Sequence, residues 1–205
     1  MSNHPIVLAI TGASGVIYGR RLLEILLRSN LEVHLTISES GQKVLQHELM
    51  SKVDIENFQL DQLLDPAVIE EHSIDDSLVS YHHYKDFMTP IASGSFQTRA
   101  MIVCPCSGST LSGIATASSG NLVQRAADVH LKERRPLVLV PREAPLSLIQ
   151  IENMRTVTLA GATILPASPG FYHGYKSVED LVDFIVVRIL DNIGIDSDLM
   201  KRWGS

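Results

Sequence analysis

Two serine- and glycine-rich stretches and one dense charged stretch hold the residues best suited to chemistry. In "TGASG", Gly12 and Gly15 permit a tight turn, and Ser14 puts a hydroxyl where a helix is about to start. Free N–H groups and the dipole at a helix start attract an anion, although a serine there also serves as a plain N-cap. In "PCSGSTLSG", Ser107, Gly108, Ser109 and Thr110 form a second polar cradle at a second helix start. Two such cradles on one sheet suit a single phosphate plus the polar edge of a ring system. Arg125 and Lys132 stand seven residues apart and so share one helix face; on an ordinary helix that face is merely solvated. Arg142 and Glu143 follow an apolar run at its carboxyl end, the edge where open α/β sheets bind ligands. They either pair with each other or face a ligand.

The elements that must position these groups follow a rhythm of strand, turn and helix. Apolar runs at Ile6–Ile10, Val33–Ile37, Ala100–Cys104, Leu137–Val140 and Ala162–Leu165 read as strands. Helical patterns follow at about 15–28, 42–48, after "PCSGST", at 121–133, 146–154 and 178–192. This alternation predicts a parallel sheet covered on both faces. Its carboxyl-end loops are "TGASG", "SESG", "PCSGST", "PREAP" and "SPGFYHGYK". The acidic middle, Ser51–Ser95, breaks the rhythm. It has no strongly apolar strand and is expected to form short helices and a loop closing over a site.

The 205-residue length suits one domain with a sizeable core, and 45% hydrophobic with only 5% aromatic residues makes that core aliphatic. A net charge of −6 and the lack of a basic block argue against nucleic-acid binding. No apolar run reaches the ~18 residues of a membrane span, and the start lacks a signal-peptide pattern. Cys104 and Cys106 are too close for an unstrained bridge and read as reduced thiols of a cytoplasmic protein. Asp75 and Asp76 do not complete DDxxD, since Val79 stands at the fifth place, and read as solvated or capping. His82 and His83 read as surface residues, so no metal site is expected.

The first turn also resembles the "TGxxGxxG" turn of short-chain dehydrogenases, whose Tyr-x-x-x-Lys pair has two matches here, Tyr81 with Lys85 and Tyr172 with Lys176. The first lies in the irregular middle. The second carries Gly174 where a helix should align both side chains. Glu39 could still bind a ribose, so an NAD(P) oxidoreductase remains an alternative.

"TGASGVIYGRRLL", "ASGSF", "CPCSGSTLSGIA", "RAADVHLKERRPLVLVPREAPL" and "PASPGFYH" together resemble the flavin prenyltransferases of the bacterial ubiquinone pathway, formerly described as 3-octaprenyl-4-hydroxybenzoate carboxy-lyases. The resemblance runs from about Ile6 to Trp203 and is weakest between Ser51 and Asp86. It implies a three-layer, Rossmann-like or flavodoxin-like open sheet forming a single FMN-binding domain, residues 1–205. It also implies transfer of a dimethylallyl group from dimethylallyl monophosphate to N5 and C6 of reduced FMN. The prenylated FMN product would serve a separate decarboxylase, and the enzyme would be a dodecamer with sites at subunit interfaces.

Carried over by motif, Gly12, Ala13, Ser14, Ser38, Ser107, Gly108, Ser109, Thr110 and Arg142 would contact FMN. Arg125, Lys132, Tyr172 and Arg188 would hold the prenyl phosphate, and Glu48 would reach a neighbouring subunit's site. Glu143 or Tyr172 would move protons, with Ser14 and Lys132 also at the reacting groups. Phe87, in "FMTPIASGS", stands where close relatives carry tryptophan; it keeps a π face for a developing allyl cation, a weaker one than tryptophan's. Basic residues on three elements could neutralise a departing phosphate without Mg²⁺. The rivals are an FMN-dependent cysteine decarboxylase, whose signature loop and flap are missing from the sequence, and an electron-carrier flavoprotein, which has no use for Arg125, Lys132, Glu143 and Arg188.

Overall fold

The computed structural model describes residues 4–172 and 174–200. Trp203, the far end of the resemblance, and His173 of "PASPGFYH" lie outside them. Strands β1 (Ile6–Ile10), β2 (Val33–Ile37), β3 (Val79–Tyr81), β4 (Ala100–Cys106), β5 (Leu137–Pro141) and β6 (Thr163–Ile164) form one sheet in the order β3-β2-β1-β4-β5-β6. Every pairing is parallel, with Ile6 opposite Val33 on one side and Ala100 on the other. This is the doubly wound arrangement, and its winding reverses between β1 and β4.

Both faces are covered, so the central strands are buried along their whole length. Ile6, Leu8 and Ile10 face one layer, with α1 (Val16–Arg28), α2 (Glu39–Leu49), α3 (Pro66–Glu71) and α7 (Val178–Asn192). Val7 and Ala9 face the other, with α4 (Gly108–Ala115), α5 (Leu122–Lys132) and α6 (Leu148–Leu159). Leu22, Leu23, Leu26 and Leu27 form the buried stripe of α1. The helices on the two faces therefore rest on separate aliphatic cores.

The middle forms the expected short helices, Leu60–Gln62, Pro66–Glu71, Asp76–Leu78 and Pro90–Ala92, but also a strand that was not expected. Val79–Tyr81 is a sixth strand, paired with β2 through Val33–Val79 and Leu35–Tyr81. It is short, half-buried and interrupted by Ser80, so it shows no long apolar run. The chain after it does not hang free as a lid. Leu122 N–H donates to the Tyr84 carbonyl at 2.8 Å, and Arg125 Nε donates to that of Ala92 at 3.0 Å. Arg135 binds the Phe96 and Gly94 carbonyls, both at 2.6 Å. The segment is thus strapped along α5. His82 is not a free surface group either: its Nε2 lies 2.8 Å from Nδ1 of buried His34, and their rings stack. Asp75 does cap, accepting from Ser77 N–H at 2.9 Å.

Candidate functional site

One hydroxyl clasps the carboxyl ends of β1 and β4. Thr11 Oγ1 donates to the Pro105 carbonyl at 2.7 Å and accepts from Ser107 N–H at 2.8 Å, and the residue is only 1% exposed. The clasp sets the "TGASG" turn beside the head of α4, at the switch point of the sheet. There Ser107 caps the helix, accepting from Thr110 N–H at 3.3 Å. Its Oγ also lies 3.1 Å from Ser109 Oγ and donates to Thr110 Oγ1 at 3.0 Å. A cap and a hydroxyl cluster coexist here.

Ser14 does not cap α1. Gly15 heads that helix at φ 97°, in the left-handed region that glycine tolerates. The Gly15 and Val16 N–H groups donate to Glu48 Oε2 at 2.8 and 3.3 Å. The anion at this helix start is thus a carboxylate of the same chain, Glu48 from the last turn of α2, the residue that the resemblance assigned to a neighbouring subunit's site. No cap occupies the Ser14 hydroxyl, which is exposed.

A Cβ at Gly12 would run into the Ser40 side chain, so glycine allows the first turn to close on the head of α2. Ala13 N–H is used within the turn, donating to Thr11 O at 2.9 Å. At the α2 head, Ser38 Oγ accepts from Gly41 N–H at 3.0 Å and lies 3.2 Å from Ser40 Oγ. The other first-turn N–H groups have no intrahelical acceptor. With two hydroxyls and the helix dipole, they match a phosphate.

The loop after β5 closes the crevice. Arg142 Nε donates to the Ser14 carbonyl at 3.3 Å, tying this loop to the first turn. Arg142 and Glu143 form no salt bridge; Glu143 Oε2 instead accepts from Gln150 Nε2 at 3.3 Å. Tyr18 lies under Gly15, whose Cβ would meet its ring at 3.1 Å. Burial, reinforced by Cys104 and opposed by Arg142, raises the Tyr18 phenol above its ordinary value. Burial also pushes the Cys106 thiol up to about 12 and raises Cys104, so both stay protonated.

Of the basic residues assigned to the prenyl phosphate, Lys132 and Arg188 do not join this cluster within one chain. Arg125 and Lys132 share a face of α5, as their spacing predicts, but that face carries the 89–96 segment: Arg125 binds Ala92, and Lys132 Nζ would lie 3.2 Å from a Cβ on Gly94. Lys132 also pairs with Glu133 at 3.3 Å and sits just before β5, whereas Glu143 sits just after it. The length of that strand, roughly 16 Å, separates them. Arg188 is on the opposite face, on α7, paired with Asp191 at 3.1 Å. The Tyr172 ring meets Phe184 at 5.8 Å, one turn before Arg188. Phe87 is exposed near the head of α5.

Neither Tyr-x-x-x-Lys pair is assembled for hydride chemistry. Tyr81 donates to the Ile55 carbonyl at 3.0 Å and stacks on Phe58. Gly174, at φ 72°, lies outside any helix. Thr11, Ser40, Tyr18 and Gln150 were not singled out from the sequence, though the first two stand in loops nominated as binding loops. The crevice joins the α2 helix head, a row of hydroxyls and the separate side chains of Arg142 and Glu143 around a switch point, which fits a phosphate-bearing planar ring such as FMN.

Among the described residues no helix is long and apolar enough to cross a membrane. The flavoprotein family profile matches residues 1–190. The flavin prenyltransferase UbiX of Pseudomonas aeruginosa is 50% identical over 199 residues, 97% of this chain and 93% of that protein. The solved structure of AnUbiX (PadA1), in complex with FMN and dimethylallyl pyrophosphate, matches with a TM-score of 0.83 at 39% identity, covering 98% of each chain. A dodecameric FMN-dependent UbiX-like decarboxylase from Escherichia coli O157:H7 matches with a TM-score of 0.82 at 37% identity, covering 98% of this chain and 100% of that one. Sequence, sheet order and crevice agree, and the chain belongs to the flavin prenyltransferase family of flavoproteins.

Proposed function

We propose that this chain, acting in the cytoplasm as a single domain over residues 1–205, joins the dimethylallyl group of dimethylallyl monophosphate to N5 and C6 of reduced FMN. The observation that carries the reading is the Thr11–Ser107 clasp. It holds the first turn, which closes on the α2 head at Ser40, beside the hydroxyl-rich head of α4, so that a flavin phosphate and ring edge can both be met there. Reduced FMN, when bound, supplies the electron-rich ring positions that take the prenyl group. The chain's own residues do the rest. The α2 head with Ser38 and Ser40 holds the flavin phosphate. Gly12 and Ala13 line it, Ser107, Gly108, Ser109 and Thr110 face the polar edge of the ring, and Arg142 braces the first turn. The Ser14 hydroxyl contacts FMN beside the reacting groups, and Glu143 takes or returns a proton, with Tyr172 as the second acid.

Arg125, Lys132, Tyr172 and Arg188 bind the prenyl phosphate. A monophosphate carries close to two negative charges, which two or three such cations neutralise through charge-assisted hydrogen bonds. Among the described residues no cluster of three or more His, Cys, Asp or Glu gathers to hold a metal. Because Arg188 lies on the opposite face of the sheet and Lys132 at the far end of β5 from Glu143, each complete site is formed where copies of the chain meet. The exposed apolar residues Leu148, Ile149 and Leu159 of α6 supply surface for that contact. We infer a dodecamer, the assembly described for the E. coli relative, and a product passed to a separate decarboxylase in ubiquinone biosynthesis.

The test begins with FMN added to the purified protein, which should bind at close to one flavin per chain. Anaerobic single turnover of the reduced complex with dimethylallyl monophosphate and EDTA should then release phosphate. A diphosphate arm is needed because AnUbiX was solved with the pyrophosphate; a requirement for diphosphate plus Mg²⁺ would overturn the leaving-group account. The description of the E. coli relative as a decarboxylase favours a second reading. That reading requires release of CO₂ from an unsaturated or aromatic acid by this chain with FMN alone.

A further inference from the structure

Gln150 is the only described side chain that hydrogen-bonds the Glu143 carboxylate, and its own geometry is fixed from elsewhere. It is the fourth member of a capping box at the start of α6. Ser147 Oγ accepts from Gln150 N–H at 3.2 Å, and Ser147 N–H donates to Gln150 Oε1 at 2.9 Å. The amide oxygen is therefore committed to the helix cap, and the amide can offer Glu143 only its N–H group. Nε2 does so at 3.3 Å from Glu143 Oε2. The same nitrogen would lie 3.3 Å from a Cβ on Gly108, so it borders the head of α4 and the hydroxyl cradle. Gln150 thus ties three pieces together: the cap of α6, the head of α4 and the carboxylate after β5.

Resting on the function proposed above, we propose that Gln150 is a positioning residue for Glu143. It fixes which carboxylate oxygen is occupied and leaves the other free to meet a proton, because the amide can offer Glu143 only its N–H group. The other charged groups on the surrounding elements have partners of their own, Arg142 through its Nε alone. Arg142 is turned to Ser14, Glu48 is bound at the head of α1, and Glu152 pairs with Arg155 on α6 at 3.7 Å. The first turn of α4 carries no acidic residue.

Gln150→Glu separates the two jobs of the side chain. Glutamate completes a Ser-x-x-Glu capping box, so the helix keeps its cap, but the donor facing Glu143 becomes a like charge. Gln150→Met removes the donor without adding charge. Two readouts are used: the carboxyl ¹³C signal of Glu143, followed against pH in the flavin-free protein and assigned with Glu143→Gln, and the pH–rate profile of prenyl transfer. In Gln150→Glu the Glu143 signal should move about 0.5–1 pH unit higher than in wild type, the scale of one like charge a few Å away near water. Gln150→Met should shift it the same way by less. The acidic limb of the rate profile should follow, with FMN affinity within about twofold of wild type. A Glu143 signal that titrates identically in all three proteins overturns the positioning role whatever the activity shows. A shifted signal with no prenyl transfer by the wild type leaves positioning standing and defeats the proposed function instead.

Discussion

Thr11→Val removes one oxygen and nearly nothing else, so it tests whether the clasp at the switch point organises the site. Two bonds are lost in a residue only 1% exposed, at 2.7 and 2.8 Å. Their partners fare differently. The Pro105 carbonyl still accepts from Thr11 N–H at 3.2 Å, whereas Ser107 N–H faces a methyl group. A buried donor left unsatisfied costs about 1–3 kcal/mol, and the second bond contributes about 1 kcal/mol net. A loss of about 2–4 kcal/mol follows, equivalent to a fall of about 4–16 °C in Tm for a chain of this size. Urea unfolding would measure the stability, and fluorescence titration the FMN affinity, which should weaken about tenfold as the α4 head loosens from the first turn. Thr11→Ser keeps the oxygen and should recover most of both losses. If Thr11→Val unfolds within about 0.5 kcal/mol of wild type and binds FMN equally well, the clasp does not organise the site.

Glu143→Gln should keep FMN but lose on the order of 10²-fold or more in turnover, because an amide cannot carry the proton; normal product formation would remove Glu143 from the chemistry. Arg188→Ala should raise the KM for dimethylallyl monophosphate far more than the Kd for FMN, since α7 is remote from the hydroxyl cradles; equal effects on both would move it to the flavin site. Ile149→Asp should lower both the sedimenting mass and prenyl transfer, and unchanged mass would show that α6 is not a contact surface. Stability should fall on acidification. Burial holds His82 and His130 near 4, well below the 6.5 of an exposed histidine. As pH falls from 6.5 toward 4 the unfolded chain takes up protons that the folded chain refuses, so their contribution is fully present above 6.5 and is lost through that window. Urea midpoints from pH 7 to 5 should decline, and His82→Gln should flatten the decline.

The sheet was legible because its strands are buried on both faces and read as unbroken aliphatic runs. β3 was not, because an edge strand of three half-buried residues leaves no such run. The α1 start shows the limit of local reading. Ser14 stands where a cap is expected, yet the cap comes from Glu48, far along the chain. Spacing also placed Arg125 and Lys132 on one face correctly but could not tell that β5 separates that end of α5 from Glu143. Gln150 escaped notice because its sequence signature is that of a helix cap, and its second bond depends on how α6 packs beside the loop after β5.

The most direct measurement is the mass of the flavin itself. Reduced FMN bound to the protein is mixed anaerobically with dimethylallyl monophosphate and EDTA, the protein is precipitated, and the released flavin is weighed by mass spectrometry. The account predicts a flavin heavier by C₅H₈, with one phosphate released for each flavin changed. Flavin recovered as unmodified FMN, from protein shown to have bound both ligands, would contradict it.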